Sequence, residues 1–412
     1  MTPPTKTAPK VADRIGVGHS DPISPFGTYT WTGAPNDVLK TKLLAAIDAN
    51  KADLGPHPRV PFSIIALVKD GKHLYAGNEY DQEMHFSASL LKVAVMYVAY
   101  ELRAAATRVV VLDDDIKTQQ QFSDALTAAF KKAIDSTARP DLVGHPQPDW
   151  RHPTPTPNYL DTLSLLDRHD PKNPVEFCLE DRVTDRTEYG TPVHDNQPYW
   201  KALQRMIKIS HDNSAAQCIA GLGYGYINAA LKTAGFFVPH AEKKKVRGIW
   251  VAGDYENLGQ FRIYAQNDGD GALVMCTEAM CRLVAMIESG DLVNDIAVGG
   301  TTNQQMKDLL AATHHNTPYI SAFSPAPFTI VRNKLGFGFL GKTNVRSVSS
   351  ECSVLSWTLD AAGETQKLLD KHNLTGSFVF CWQNVRTDLI PNFTPLGKIA
   401  AQTYQEFLNS TP

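Results

Sequence analysis

Ser89 and Lys92 lie three residues apart in His85-Phe86-Ser87-Ala88-Ser89-Leu90-Leu91-Lys92, and their types suit covalent chemistry. The run that follows, Val93 to Leu102, is almost without polar residues and free of Pro and Gly, which predicts a helix buried all round. A hydroxyl at the start of such a helix can cap free backbone N–H groups, and a lysine one turn further on shares its face. Burial makes an ammonium costly and lowers the lysine pKa, so a neutral amine beside a hydroxyl is a general base next to a nucleophile. Taken alone, the pair fits equally a cap and a snorkelling lysine. Two further stretches bear on it. Ser210-His211-Asp212-Asn213-Ser214 offers a hydroxyl, an imidazole, a carboxylate and an amide in four successive positions, and Lys334-Leu335-Gly336 closes a strand-like run.

These stretches need elements to bring them together. Asp37 to Asp53 has Val38, Leu43, Leu44 and Ile47 at helical spacing, with Asp37 as N-cap and Gly55-Pro56 beyond the end. Phe62 to Val68 and His73 to Gly77 read as strands joined at Asp70-Gly71, a hairpin signal. Trp200 to Ile209 and Ile227 to Ala234 read as helices on either side of the Ser210 run, and residues 236–270 as loop. Thr277 to Ser289 and Asn303 to Ala312 are amphipathic helices. Thr329 to Asn333, Cys352 to Thr358 and Ser377 to Trp382 are strands, and Lys398 to Leu408 is a closing helix. With strands at both ends of the chain and helices between, the C-terminal strands must return to the first hairpin. The expected fold is therefore α+β, a mostly antiparallel sheet covered by helices, with an all-helical subdomain.

Taken in order, the three stretches resemble the S-x-x-K, S-D-N and K-T-G set of the serine β-lactamases and penicillin-binding proteins, closest to the class A side. Met206-Ile207, Ser214-Ala215-Ala216 and the segment from Thr277 to Asn294 strengthen the likeness, which covers roughly residues 37–103 and 199–408. It implies a β-lactamase/transpeptidase-like fold and a Ser89 acyl-enzyme formed on an amide or ester, β-lactam or D-Ala-D-Ala-like. Lys92 would take the Ser89 proton, and Asn213 would hold Lys92 and the substrate amide. Lys334 would attract a substrate carboxylate, and Gly336 would allow close approach of its strand. The N–H groups of Ser89 and Phe337 would form the oxyanion hole.

The departures bear on the substrate. His211 stands where the second motif has serine, with Ser210 one place early, so either His211 or Ser210 is the proton shuttle. Leu335 replaces a hydroxyl residue in the third motif. Lys342-Thr343-Asn344 is a competing third motif that keeps the hydroxyl and loses the glycine, and Lys334 is preferred because a strand leads into it. No E-x-x-L-N stretch supplies the carboxylate that class A enzymes use to release the acyl group, and Glu256 in Asp254-Tyr255-Glu256-Asn257-Leu258 is the nearest approximation. A persistent acyl-enzyme suits a penicillin-binding protein or esterase-like hydrolase better than an efficient β-lactamase. The alternative is a catalytically inactive module of the same fold that binds cell-wall-type peptides.

Composition bounds what remains. Apolar residues at 43% and charged residues at 20% match a globular protein able to bury a core. A net charge of −3 gives no electrostatic footprint for nucleic acid, and Lys243 to Arg247 reads as an exposed loop. No cofactor is implied, and the partner is a small-molecule or peptide substrate. His145, His152, His169 and His194 lack paired metal-ligand spacing, and six cysteines without C-x-x-C spacing read as buried free thiols, with one Cys352–Cys381 bridge conceivable. Residues 1–35 read as an extended arm and 36–412 as the hydrolase domain, with an insertion at 104–199 containing a short strand at Val109 to Leu112 and a helix at Gln119 to Ile134. No stretch has the length and apolarity of a bilayer span and no signal peptide is evident, which leaves the compartment open.

Overall fold

A computed structural model describes residues 26–55, 59–112, 118–138, 199–240, 245–253, 263–267, 269–271, 273–293, 302–311, 328–340, 346–358, 363–387 and 393–410. Its elements in chain order are β1 (Ala34–Pro35), α1 (Asp37–Asn50), β2 (Phe62–Val68), β3 (Leu74–Gly77), β4 (His85–Phe86) and a 3₁₀ turn (Ala88–Leu91). Five helices follow: α2 (Lys92–Leu112), α3 (Gln119–Ala138), α4 (Tyr199–Lys208), α5 (Asp212–Leu222) and α6 (Tyr224–Thr233). Then come β5 (Phe237–Val238), β6 (Arg247–Val251), β7 (Ile263–Ala265), β8 (Gly269–Gly271) and β9 (Leu273–Met275). The chain ends with α7 (Thr277–Ser289), α8 (Thr302–Ala311), β10 (Phe328–Leu340), β11 (Arg346–Trp357), α9 (Glu364–Lys371), β12 (Leu374–Arg386) and α10 (Thr394–Leu408).

The main sheet runs β1-β3-β2-β12-β11-β10, antiparallel throughout except for the short parallel pair β1–β3. The C-terminal strands return to the first hairpin as expected, because β2 and β12 each bury both faces. Side chains alternate across the pleat. One face, with Ile64, Phe378, Phe380 and Trp382, packs under α1 and α10, where Tyr404 stacks on Phe378 at 4.0 Å. The other face, with Ile65, Val379 and Cys381, meets α7 and the helical part of the molecule. Every residue from Leu90 to Ala106 is buried, so α2 is the axis of that helical part. Truncating one of its large apolar residues to Ala costs about 2–5 kcal/mol.

Several local expectations change. Asn36, not Asp37, caps α1, its side chain accepting from Leu39 N–H at 2.8 Å. Val109 to Leu112 is the end of α2 and not a strand, since helix propagation from the buried turns outweighs the β preference of three valines. Part of 236–270 is strand: β5 and β6 extend a sheet of order β4-β9-β6-β5, a layout hidden by the many glycines between these short runs. The described end of the arm is bound to the body. Phe26 is buried between Phe130 and Tyr226, and Glu101 accepts hydrogen bonds from Gly27 N–H and Tyr29 Oη–H.

Cys352 and Cys381 are register partners on β11 and β12, and the described cysteines are free thiols and buried. Cys178, the four histidines from His145 to His194, Lys342, Glu256 and residues 139–198 of the expected insertion lie outside the described residues. Among the described residues no helix is long and apolar enough to cross a membrane, and no cluster of His, Cys, Asp and Glu could hold a metal.

Candidate active site

Ser89 sits on the 3₁₀ turn between β4 and α2, and not within the α-helix itself. The turn is fastened on three sides. Ser87 N–H donates to Leu273 C=O, Ser87 C=O accepts from Leu90 N–H, and the same carbonyl accepts from Ser350 Oγ on β11 at 2.9 Å. Ala88, directly before Ser89, has φ +48°, a left-handed conformation that a side-chain-bearing residue holds only where its surroundings dictate it. Among the described residues no hydrogen bond engages the Ser89 hydroxyl, and the Lys92 amine bonds to Ser210 and Asp212 rather than to it.

Strand β10 is the sheet edge beside this turn. A Cβ on Gly336 would lie 2.2 Å from Ser87 O and 2.8 Å from Leu90 N, and one on Gly338 would lie 2.7 Å from the Phe86 ring. Only glycine at these two positions lets the strand press against the backbone around Ser89. Phe337 between them is 44% exposed and packs edge-on against Phe339 at 5.5 Å.

Two buried amines converge behind the turn. Lys92, 2% exposed, donates from Nζ to Ser210 C=O at 2.7 Å, to Asp212 Oδ1 at 2.6 Å and to Ser210 Oγ at 3.3 Å. Lys334, 1% exposed, donates from Nζ to Ser210 Oγ at 2.8 Å and to Leu335 C=O at 3.2 Å. The Ser210 oxygen thus accepts from both lysines on its two lone pairs, which leaves its own O–H to donate elsewhere. Ser210 is held at φ +56°, where the chain leaves α4 and His211 N–H returns to Arg205 C=O. Burial, then the neighbouring Lys92 charge, pushes the Lys334 pKa down to about 7. The Lys92 amine is also pulled down by burial, against the opposing pull of Asp212.

The structure sorts the candidates of the second motif. Ser210 stands between the lysines. His211 is the N-cap of α5, its Nδ1 accepting from Ser214 N–H at 3.2 Å and lying 2.9 Å from Ser214 Oγ. Asp212, not Asn213, meets Lys92, and Asn213 is exposed one place further along α5. The lysines thus meet Ser210 and Asp212, two residues apart, the spacing of the Ser and Asn of the second motif with a carboxylate in place of the amide. Sequence reading passes over Asp212 because aligning Asp212-Asn213 with the motif's Asp-Asn pair shifts the motif by one. The signal that finds it is Ser210 itself, with Asp212 two residues on. Of the third motif, Lys334 and Gly336 are at the site.

No protein-family model matches the chain, and no curated protein matches it. Among solved structures it is similar to class A β-lactamases. The last common ancestor of Gram-negative class A β-lactamases is 14% identical, with 90% of this chain and 99% of that one covered and a TM-score of 0.43. A β-lactamase from Desulfarculus baarsii is 14% identical, with 91% and 98% covered and a TM-score of 0.42. A halotolerant bacterial β-lactamase is 12% identical, with 89% and 98% covered and a TM-score of 0.42.

Proposed function

We propose that this chain is a serine acyl-transfer enzyme in which Ser89 is the nucleophile. Within that class it is a hydrolase of amides or esters, with β-lactams and D-Ala-D-Ala-like peptides as its substrate type. The observation that carries this reading is Ser210 Oγ, which accepts from two buried lysines, one of them a single turn from Ser89. Lysine burial is expensive and is rarely found without a partner or a task.

Ser89 Oγ attacks the carbonyl carbon while Lys92, in its neutral form, takes the hydroxyl proton. The developing oxyanion lies against the N–H groups of Ser89, at the 3₁₀ turn, and Phe337, on the strand edge that Gly336 and Gly338 bring close. Ser210 then passes a proton to the leaving group and is resupplied through Lys92 or Lys334. The Lys334 ammonium attracts a substrate carboxylate. A non-catalytic module that binds cell-wall-type peptides would not need a hydroxyl wired to two amines.

The reading is tested with a fluorescent penicillin and with p-nitrophenyl acetate. Covalent labelling of the wild type that is lost in Ser89→Ala supports it. A wild type that neither reagent acylates, or a Ser89→Ala variant labelled equally well, overturns it. Nitrocefin then separates steady β-lactam turnover from a single burst.

A further inference from the structure

Resting on that reading, we infer that Asp212 is the base that activates water to release the acyl group from Ser89. The sequence carries no E-x-x-L-N stretch, so the carboxylate for this step must come from elsewhere. The geometry offers one inside the second motif. Asp212 Oδ1 accepts from Lys92 Nζ at 2.6 Å, and Lys92 is one turn from Ser89. The Asp212 side chain is nevertheless 80% exposed, while that of Lys92 is 3% exposed. One carboxylate oxygen is thus anchored to the buried amine, while most of the side chain remains open to water. An amide at this position can hold the lysine but cannot accept a proton from water. A carboxylate does both.

In the step itself, Asp212 takes a proton from a water molecule as the water oxygen attacks the acyl carbonyl carbon. The tetrahedral oxyanion lies against the Ser89 and Phe337 N–H groups. Its collapse breaks the bond from carbonyl carbon to Ser89 Oγ, the proton that Asp212 took from water passes through Lys92 to the serine oxygen, and the carboxylic acid leaves. One water is consumed, Asp212 is again a carboxylate and Lys92 again neutral, so the enzyme is restored. Asp212 is accordingly a catalytic residue of the second half-reaction, whereas an amide there would serve only the first.

The test follows intact-protein mass after a pulse of p-nitrophenyl acetate, in the full-length wild type, Asp212→Asn, Asp212→Glu and Glu256→Gln. The wild type is expected to acquire one acetyl group and lose it. Asp212→Asn should acquire it and release it ~10²–10⁴-fold more slowly, the usual worth of a general base. Asp212→Glu keeps a carboxylate and should release faster than Asp212→Asn, which separates loss of the base from a disturbed fold. Release from Asp212→Asn at the wild-type rate, equal rates from the Asn and Glu variants, a wild type that never releases, or trapping in Glu256→Gln with none in Asp212→Asn each overturns the inference while leaving Ser89 as nucleophile. A wild type that is never acylated overturns both.

Discussion

Lys334 donates to the Ser210 hydroxyl across 2.8 Å, joining the edge strand β10 to the turn before α5. Lys92 reaches the same oxygen from α2, so three elements distant in sequence meet at one atom. Replacing Ser210 by Ala should slow acylation by ~10²–10⁴-fold by removing the relay. His211→Ala, which removes the α5 cap, should instead lower stability by about 1 kcal/mol and leave acylation within a few fold. Stopped-flow acylation and thermal melts of both variants check this. If His211→Ala stops acylation and Ser210→Ala does not, the assignment is reversed.

Lys334 gives the site a pH dependence. With its pKa at about 7, the ammonium proposed to attract an anionic substrate is lost as pH rises through neutrality. Acylation by a carboxylate-bearing β-lactam should therefore fall between roughly pH 6 and 8. Lys334→Arg, which holds its charge throughout that range, should flatten the profile. An uncharged ester should show a weaker inflection. An unchanged profile in Lys334→Arg would assign the titration to another group.

Gly336 tests the approach of the strand to the turn. A methyl group there would meet Ser87 O at 2.2 Å and Leu90 N at 2.8 Å, both backbone atoms. Gly336→Ala should cost about 1–3 kcal/mol as an overpacking change, and about 10²-fold in acylation by shifting β10 away from Ser89. Urea melts and labelling rates measure the two effects separately.

Glu351 carries a different prediction, on stability alone. It is buried on β11, where Oε1 accepts from Ser353 Oγ–H at 2.6 Å and Asn333 Nδ2–H at 3.1 Å, while Oε2 has no partner among the described residues. Burial pushes its pKa above the ordinary value of 4.5. In acid both folded and unfolded chains hold the proton. As pH rises past 4.5 the unfolded chain releases it more readily, so this group's contribution falls as pH rises through its folded-state pKa. Glu351→Gln should raise the melting temperature at pH 7 relative to wild type and change it little at pH 4. A variant that is less stable at pH 7 would contradict this.

How much of this was legible in the sequence depended on local chemistry. The buried helix after Ser89, the Asp70-Gly71 hairpin, the span of α7 and the return of the C-terminal strands all follow from apolar patterning and turn residues. The ends of β10 to β12 did not, because long strands pairing on both sides carry continuous mixed runs whose limits are set by register. Residues 237–275 defeated the reading for another reason, since strands of two to five residues between glycines draw their stability from partners far away. At the site, Ser89, Lys92 and Lys334 were visible as types at recognisable spacings. The choice among Ser210, His211, Asp212 and Asn213 was not. It turns on the left-handed backbone at Ser210, which decides which side chains of a four-residue run face the lysines.

A covalent bond from Ser89 to substrate is read by peptide mapping by mass spectrometry after reaction with a penicillin. One adduct per chain is expected, carried by the peptide that contains Ser89 and absent from Ser89→Ala. An adduct on another residue, or none on a folded chain, would contradict it.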